Sequence, residues 1–187
     1  MRVDNLTIEQ QKAIRRKLKG EHRIIFDIGI STGLRISDIL KLTVQQCISE
    51  HCYIKEQKTS KLRRIYIRKH IREQCKKIAT ETGKHGNMEM FNISRQAVWK
   101  AFKRATKRAK INTNVGTHSM RKSYSKNYIN KGHTVFELQK KLNHSHLSDT
   151  VGYLTENATL GLDENGKPRK KKGKKDESRR TKAISRV

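Results

Sequence analysis

The chain has 187 residues, with 44 Lys and Arg against 17 Asp and Glu, a net charge of +27 and an isoelectric point near 10.4. Ordinary surfaces mix both signs, so this excess points to a polyanion: nucleic acid above all, with anionic membrane surfaces and ribosomal RNA attracted by the same field. From Glu164 to Val187, 11 basic and 3 acidic residues give +8, which leaves +19 on the residues before them, so the body is itself basic.

In chain order, Thr7 and Gln10 form a capping box, and Leu6, Ile8, Ala13, Ile14 and Leu18 mark one face of a helix over Ile8 to Lys19, which Gly20 ends. A second helix, Glu21 to Thr32, is apolar on most of its surface, belongs in the core and is broken by Gly33. Its apolar run, Ile24 to Ile30, is interrupted by Asp27 and Gly29 and is too short to span a membrane. Ser37 is expected to cap a short helix through Ile39, Leu40 and Leu42. Cys47, Cys52 and Cys75 are odd in number and fit no metal-ligand spacing with His51 or His85, so neither a structural metal nor a disulfide framework is expected. With no signal peptide in evidence, a reduced, cytoplasmic protein associated with the nucleoid of a bacterial or phage-infected cell is the expectation.

Period-two patterning over Cys52 to Lys55 and Leu62 to Arg68 predicts a hairpin with Lys58 to Lys61 at its tip. Helices return over Lys69 to Thr82, Arg95 to Lys110, His118 to Asn130 and Val135 to Lys141, the last behind a Thr134–Glu137 capping box. Beyond Leu162 the composition falls largely to Lys, Arg, Gly, Asp and Glu. The expected organisation is one domain over residues 1–162 and a solvated basic tail over 163–187. The fold class is mainly α with a small antiparallel β-sheet or hairpin.

Four segments carry side chains suited to phosphoryl transfer. In Thr32-Gly33-Leu34-Arg35-Ile36-Ser37-Asp38 a glycine bend presents Arg35 at a helix start, with Asp38 placed either to orient it or to complement the helix dipole. Glu56-Gln57-Lys58-Thr59-Ser60-Lys61 puts a lysine on a turn able to reach a DNA groove, and pattern alone does not separate Lys58 from Lys61. His118-Ser119-Met120-Arg121 opens a helix, and its i, i+3 spacing lets imidazole and guanidinium converge on one ligand. In the fourth segment, from Leu142 to Leu154, His144 stands nine residues before Tyr153.

The order Gly-Leu-Arg, hairpin Lys, His-x-x-Arg, Leu-x-His and then Tyr resembles the phage integrase, or tyrosine recombinase, family from about residue 5 to residue 160. The resemblance implies that family's catalytic-domain fold and a site-specific recombinase. Arg35 and Arg121 would clamp the non-bridging oxygens of the scissile phosphate, His144 would add a hydrogen bond, and His118 would assist proton movement at the nucleophile. Tyr153 would attack, leaving a 3′-phosphotyrosine, while Lys58 would protonate the departing 5′-oxygen. Two guanidinium groups offer fixed charge and bidentate donors where a divalent metal acts in many nucleases, so neither metal nor nucleotide cofactor is required. Implied partners are double-stranded DNA, three further copies in a homotetramer on paired sites with a segment over Leu154 to Leu162 docking between protomers, and accessory DNA-bending proteins.

Departures from the family pattern are Asn143 where Gly is more frequent, Lys122 where His is frequent, and Gly152 directly before the tyrosine. Tyr124 and Tyr128, about one and two turns beyond Arg121, are rival tyrosines better placed for packing. No helical core-binding domain is seen ahead of residue 5, so a stand-alone catalytic-type recombinase or a fragment is expected. The competing readings are a catalytically idle DNA-binding regulator on the same scaffold, a basic RNA-binding helical protein and a type IB topoisomerase. Target site and reaction outcome, whether integration, excision, inversion or resolution, are not read from the sequence.

Overall fold

The computed structural model describes residues 3–151. The basic tail and the segment around Gly152 and Tyr153 lie outside the described residues. Helix α1, Ile8–Lys17, starts at the Thr7–Gln10 box, each side chain accepting from the other's main-chain N–H. It stops two residues before the expected end, because Leu18 turns extended and buries its side chain in the core. Gly20 therefore does not end α1; at φ 52° it opens α2, Gly20–Thr32.

Helix α2 is the central element, with Ile24, Ile25, Phe26 and Ile28 all buried. Phe26 meets Phe102 edge to face at 5.6 Å between centroids, a favoured aromatic geometry. Gly29 lets the helix that carries Met120 approach closely: a Cβ there would lie 2.4 Å from the Met120 sulfur. Gly33 ends α2 in the left-handed region at φ 67°, under the Tyr124 ring, and turns the chain towards the site.

Helix α3, Ile36–Leu40, is preceded by Arg35 as its N-cap, not by Ser37 as expected; Ser37 lies inside the first turn because the chain is already helical at Ile36. Helix α4, Val44–Ile48, was not anticipated, although Thr43 and Gln46 form the same reciprocal cap seen at α1. Strands β1, His51–Lys55, and β2, Leu62–Tyr66, pair antiparallel with His51 opposite Tyr66 and Lys55 opposite Leu62. Ile54, Arg63 and Ile65 face inward; Tyr53, Leu62 and Tyr66 face out.

Helix α5, Lys69–Thr82, has the predicted bounds and ends on Gly83 in the left-handed region. Helix α6, Arg95–Arg108, stops at Ala109, and Lys110 at φ 54° leads out of it. Helices α7, Thr117–Asn130, and α8, Val135–Leu142, match their predicted segments to within a residue at each end. A short α9, Leu147–Val151, follows.

The main core runs from Leu6 to Met120. A satellite cluster of Ile129, Val135, Leu138 and Leu142 fixes α8 to α7. Cys47 and Cys75 are buried free thiols, and contact with Cys75 together with burial pushes the Cys47 thiol well up, away from the reactive thiolate. Among the described residues no group of three or more His, Cys, Asp or Glu is placed to hold a metal, and no helix is long and apolar enough to cross a membrane.

Candidate active site

The C-terminal end of α2, the start of α7, the α8–α9 loop and the turn end of the hairpin meet at one edge of the fold. Arg121, one turn into α7, is 1% exposed. Its Nη1 donates to Gly33 O at 2.7 Å and its Nη2 to Leu142 O at 2.9 Å, so the guanidinium ties the glycine turn to the end of α8. Nη2 also lies 2.8 Å from His144 Nε2. Arginine can only donate, so Nε2 is the acceptor and the ring proton sits on Nδ1, 3.0 Å from Thr150 Oγ1. Burial, then the neighbouring Arg121 and Arg35 charges, hold the His144 imidazole down to about 4, against weaker opposition from Asp149 and Glu56.

His118 stands one turn before Arg121 on the same helix, with its ring more open to solvent. What it does bury, and then the charges of Arg121, Lys122, Arg35 and Arg95, lower it to about 4 as well. Four of the six residues singled out in the sequence, Arg35, His118, Arg121 and His144, are thus close enough to share one electrostatic environment. Two of them are fixed cations and two are neutral imidazoles near pH 7. Such a cluster of fixed cations and neutral imidazoles has the chemistry to hold an anion.

Arg35 leaves the glycine turn half-buried and pairs with Glu56, Nη1 to Oε2 at 3.0 Å. Asp38 does not hold Arg35: its Oδ1 accepts the Gln57 main-chain N–H at 3.0 Å, while its carboxylate sits in the first turn of α3, favourably for the helix dipole. Glu56 was not read from the sequence as a site residue, nor was Arg63, whose Nη1 lies 3.3 Å from Glu56 Oε1 and whose Nη2 donates to Thr32 O. The signal was parity. With Ile54 facing in, period two puts Glu56 on the core face too, and a carboxylate there requires cations.

Lys58 is exposed in the connection, residues 56–61, between β1 and β2 and makes no hydrogen bond or ion pair among the described residues, whereas Lys61 Nζ donates to Ser145 Oγ at 3.1 Å. Asn143 Nδ2, 3.3 Å from Leu62 O, makes a second tie between the hairpin and the α8–α9 loop. Lys122 donates to Val3 O, and its charge acts on His118.

The rival tyrosines are packing residues. Tyr128 stacks on Tyr124 at 5.9 Å and on His133 at 4.0 Å. Burial raises both phenols, Tyr128 to about 12 with help from Glu137 and Tyr124, which makes each a poorer nucleophile. Tyr153 lies outside the described residues; α9 ends at Val151.

A sequence model of the phage integrase family matches residues 4–159. A Bacillus subtilis protein named probable integrase/recombinase YoeC is 30% identical over 148 residues, covering 75% of this chain and 77% of that protein. The tyrosine recombinase XerD of Staphylococcus epidermidis is 26% identical over 143 residues, covering 70% of this chain and 48% of the relative, so the chain spans about half the length of that protein. Among solved structures, the catalytic domain of bacteriophage HP1 integrase superposes with a TM-score of 0.65 at 20% identity, over 81% of this chain and 87% of that one. The XerH site-specific recombinase in its post-cleavage complex gives 0.70 at 20% identity, over 80% and 48%. These likenesses show the fold of a tyrosine recombinase catalytic domain, and the chain belongs to the phage integrase family.

Proposed function

We propose that the protein cuts and rejoins double-stranded DNA at specific sites through a 3′-phosphotyrosine at Tyr153. The observation that carries this reading is the convergence of Arg35 and Arg121 with two neutral histidines at one cationic edge of the fold. A phosphodiester entering that edge takes N–H donors from both guanidinium groups. Its oxygen competes with His144 Nε2 for Arg121, and its negative charge raises the imidazole pKa, so that His144 gains a proton and donates in turn.

The Tyr153 oxygen attacks phosphorus, its proton passing to His118. The bond to the 5′-oxygen breaks, and Lys58 delivers the proton that leaving oxygen needs. Rejoining is the reverse with another strand's 5′-hydroxyl, and the phosphodiester energy is kept in the protein link. Solved relatives include XerH bound to a difH substrate and a lambda integrase tetramer bound to a Holliday junction, which supports DNA as the substrate here and a four-protomer assembly for exchange.

The test uses a nicked DNA built from the repeats that neighbour the gene, with products separated on a denaturing gel. A covalent adduct is expected from the unmodified chain and none from Tyr153→Phe, with DNA affinity nearly unchanged. An adduct that persists in Tyr153→Phe moves the nucleophile elsewhere. Tight DNA binding with no adduct from the unmodified chain favours a regulator acting by occupancy.

A further inference from the structure

Arg35 comes from the turn between α2 and α3, the Lys58 turn from the hairpin, and two buried carboxylates lie where they meet: Asp38, which takes the Gln57 main-chain N–H, and Glu56, which takes the arginines. Glu56 is 0% exposed. Its Oε2 accepts from Arg35 Nη1 and from Thr59 Oγ1, each at 3.0 Å, and its Oε1 from Arg63 Nη1 at 3.3 Å. Arg63 also donates to Thr32 O, so the carboxylate is braced from the end of α2. Arg35 has no other hydrogen bond or ion pair among the described residues. It is a long side chain on a glycine turn, and one contact decides where its guanidinium rests.

Charge points the same way. Arg35, Arg63 and Arg121 all act on Glu56, three guanidinium groups gathered at a partly desolvated edge where like charges repel strongly. One carboxylate among them lets the cluster assemble while leaving it net positive towards an anion. The pairing uses one of Arg35's five N–H donors, so most of the fork stays available for a phosphate.

We propose that Glu56 is the positioning residue of Arg35, holding its guanidinium where the scissile phosphate is clamped. This rests on the reading above that Arg35 binds that phosphate. The competing role is that Glu56 only neutralises buried Arg63 for folding. Glu56→Gln removes the charge that holds Arg35, but a glutamine oxygen left at the Oε2 position still serves Thr59 and Arg35 alike, so the two roles are separated by making the change in an Arg63→Met background, where Arg63 no longer needs a carboxylate. The turn's main-chain bonds, Glu56 N to Lys61 O and Ser60 N to Glu56 O, do not use the Glu56 side chain and survive the change.

The measurement is single-turnover cleavage of nicked substrate by the full chain at saturating DNA. Glu56→Gln is expected to slow cleavage by roughly tenfold to a hundredfold, the scale of a misplacement of about 1 Å, with DNA affinity nearly unchanged. In an Arg35→Ala background the same change should cost nothing further. The defect should be equally large on a substrate with a sulfur 5′ leaving group, since it does not act through Lys58. Removing Glu56 alone leaves Arg63 buried without its partner, so Glu56→Gln combined with Arg63→Met keeps the test valid if the single variant fails to fold. A folded variant of either kind that cleaves at the unmodified rate overturns the proposal, as does additivity with Arg35→Ala or rescue by sulfur. A second readout needs no turnover: the Arg35 Nε–H resonance of the DNA-free protein should broaden in Glu56→Gln, and an unchanged resonance overturns the proposal too. If the unmodified chain forms no adduct, the phosphotyrosine reading fails instead, and the resonance still reports on Glu56.

Discussion

Arg121 lies 1% exposed, its guanidinium committed to Gly33 O, Leu142 O and His144, whereas Lys58 stands exposed on the hairpin turn with no partner among the described residues. Both are cations that the proposed reaction places at one phosphate. The difference teaches a division between charge stabilisation and proton delivery. A donor that must meet the transition state without reorganising is built into the interior, where its position is paid in advance by tertiary contacts. A proton donor to a leaving oxygen is needed only once DNA is bound, so it can wait on a turn that the substrate itself completes.

The first way to break that comparison is Arg121→Ala, for which the largest combined effect, on rate and stability together, is expected. Cleavage should fall by about a hundredfold or more, the scale for one preorganised donor. The variant should also melt several degrees lower, because the Gly33 and Leu142 carbonyls lose their donor at about 1–3 kcal/mol each. A melting temperature equal to that of the unmodified chain would show that Arg121 is not a structural tie.

Lys58→Ala should slow cleavage of an ordinary substrate by about 10²–10⁴, the range for general acid catalysis, without moving the melting temperature. On a substrate with a sulfur leaving group most of that loss should vanish. Lys61→Ala, which breaks only the Ser145 contact, should change either rate little; a sulfur-rescued defect in Lys61→Ala would exchange the two roles.

The smallest effect concerns protons. His118 and His144 are held to about 4, below the ordinary histidine value of 6.5, so between those values the unfolded chain binds more protons than the folded one. Stability from this source is complete above pH 6.5 and drains away as pH falls towards 4. Melting temperatures across that window should drop, and His144→Asn should flatten part of the slope; an unchanged slope would mean that His144 is not held neutral by burial and the Arg121 charge.

Much of the fold was legible because its signals are local. Capping boxes at Thr7 and Thr134 and the face of α5 depend on residues within a few positions of one another. The same signature at Thr43–Gln46 went unread because α4 has only five residues and no apolar period to accompany it. Gly20 misled in the other direction: a glycine between two helices serves equally as an end or a beginning, and the burial of Leu18 decided it. Arg35, Arg121 and His144 were legible through ordered motifs, but their partners were not. Glu56 and Arg35 are 21 residues apart, Arg121 and Gly33 88 apart, and such pairings follow from packing and not from pattern.

Asn143 is where the family more often has glycine, and its backbone, at φ 54°, explains why both residues serve: each enters the left-handed region at low cost. Asparagine adds the amide that reaches Leu62 O. A glycine there would preserve the path of the chain and sever that link, so that among the described residues the Lys61–Ser145 hydrogen bond would be left to join hairpin and histidine loop. In this chain one residue therefore serves as both turn and latch, and the position admits drift in chemistry far more readily than drift in backbone shape.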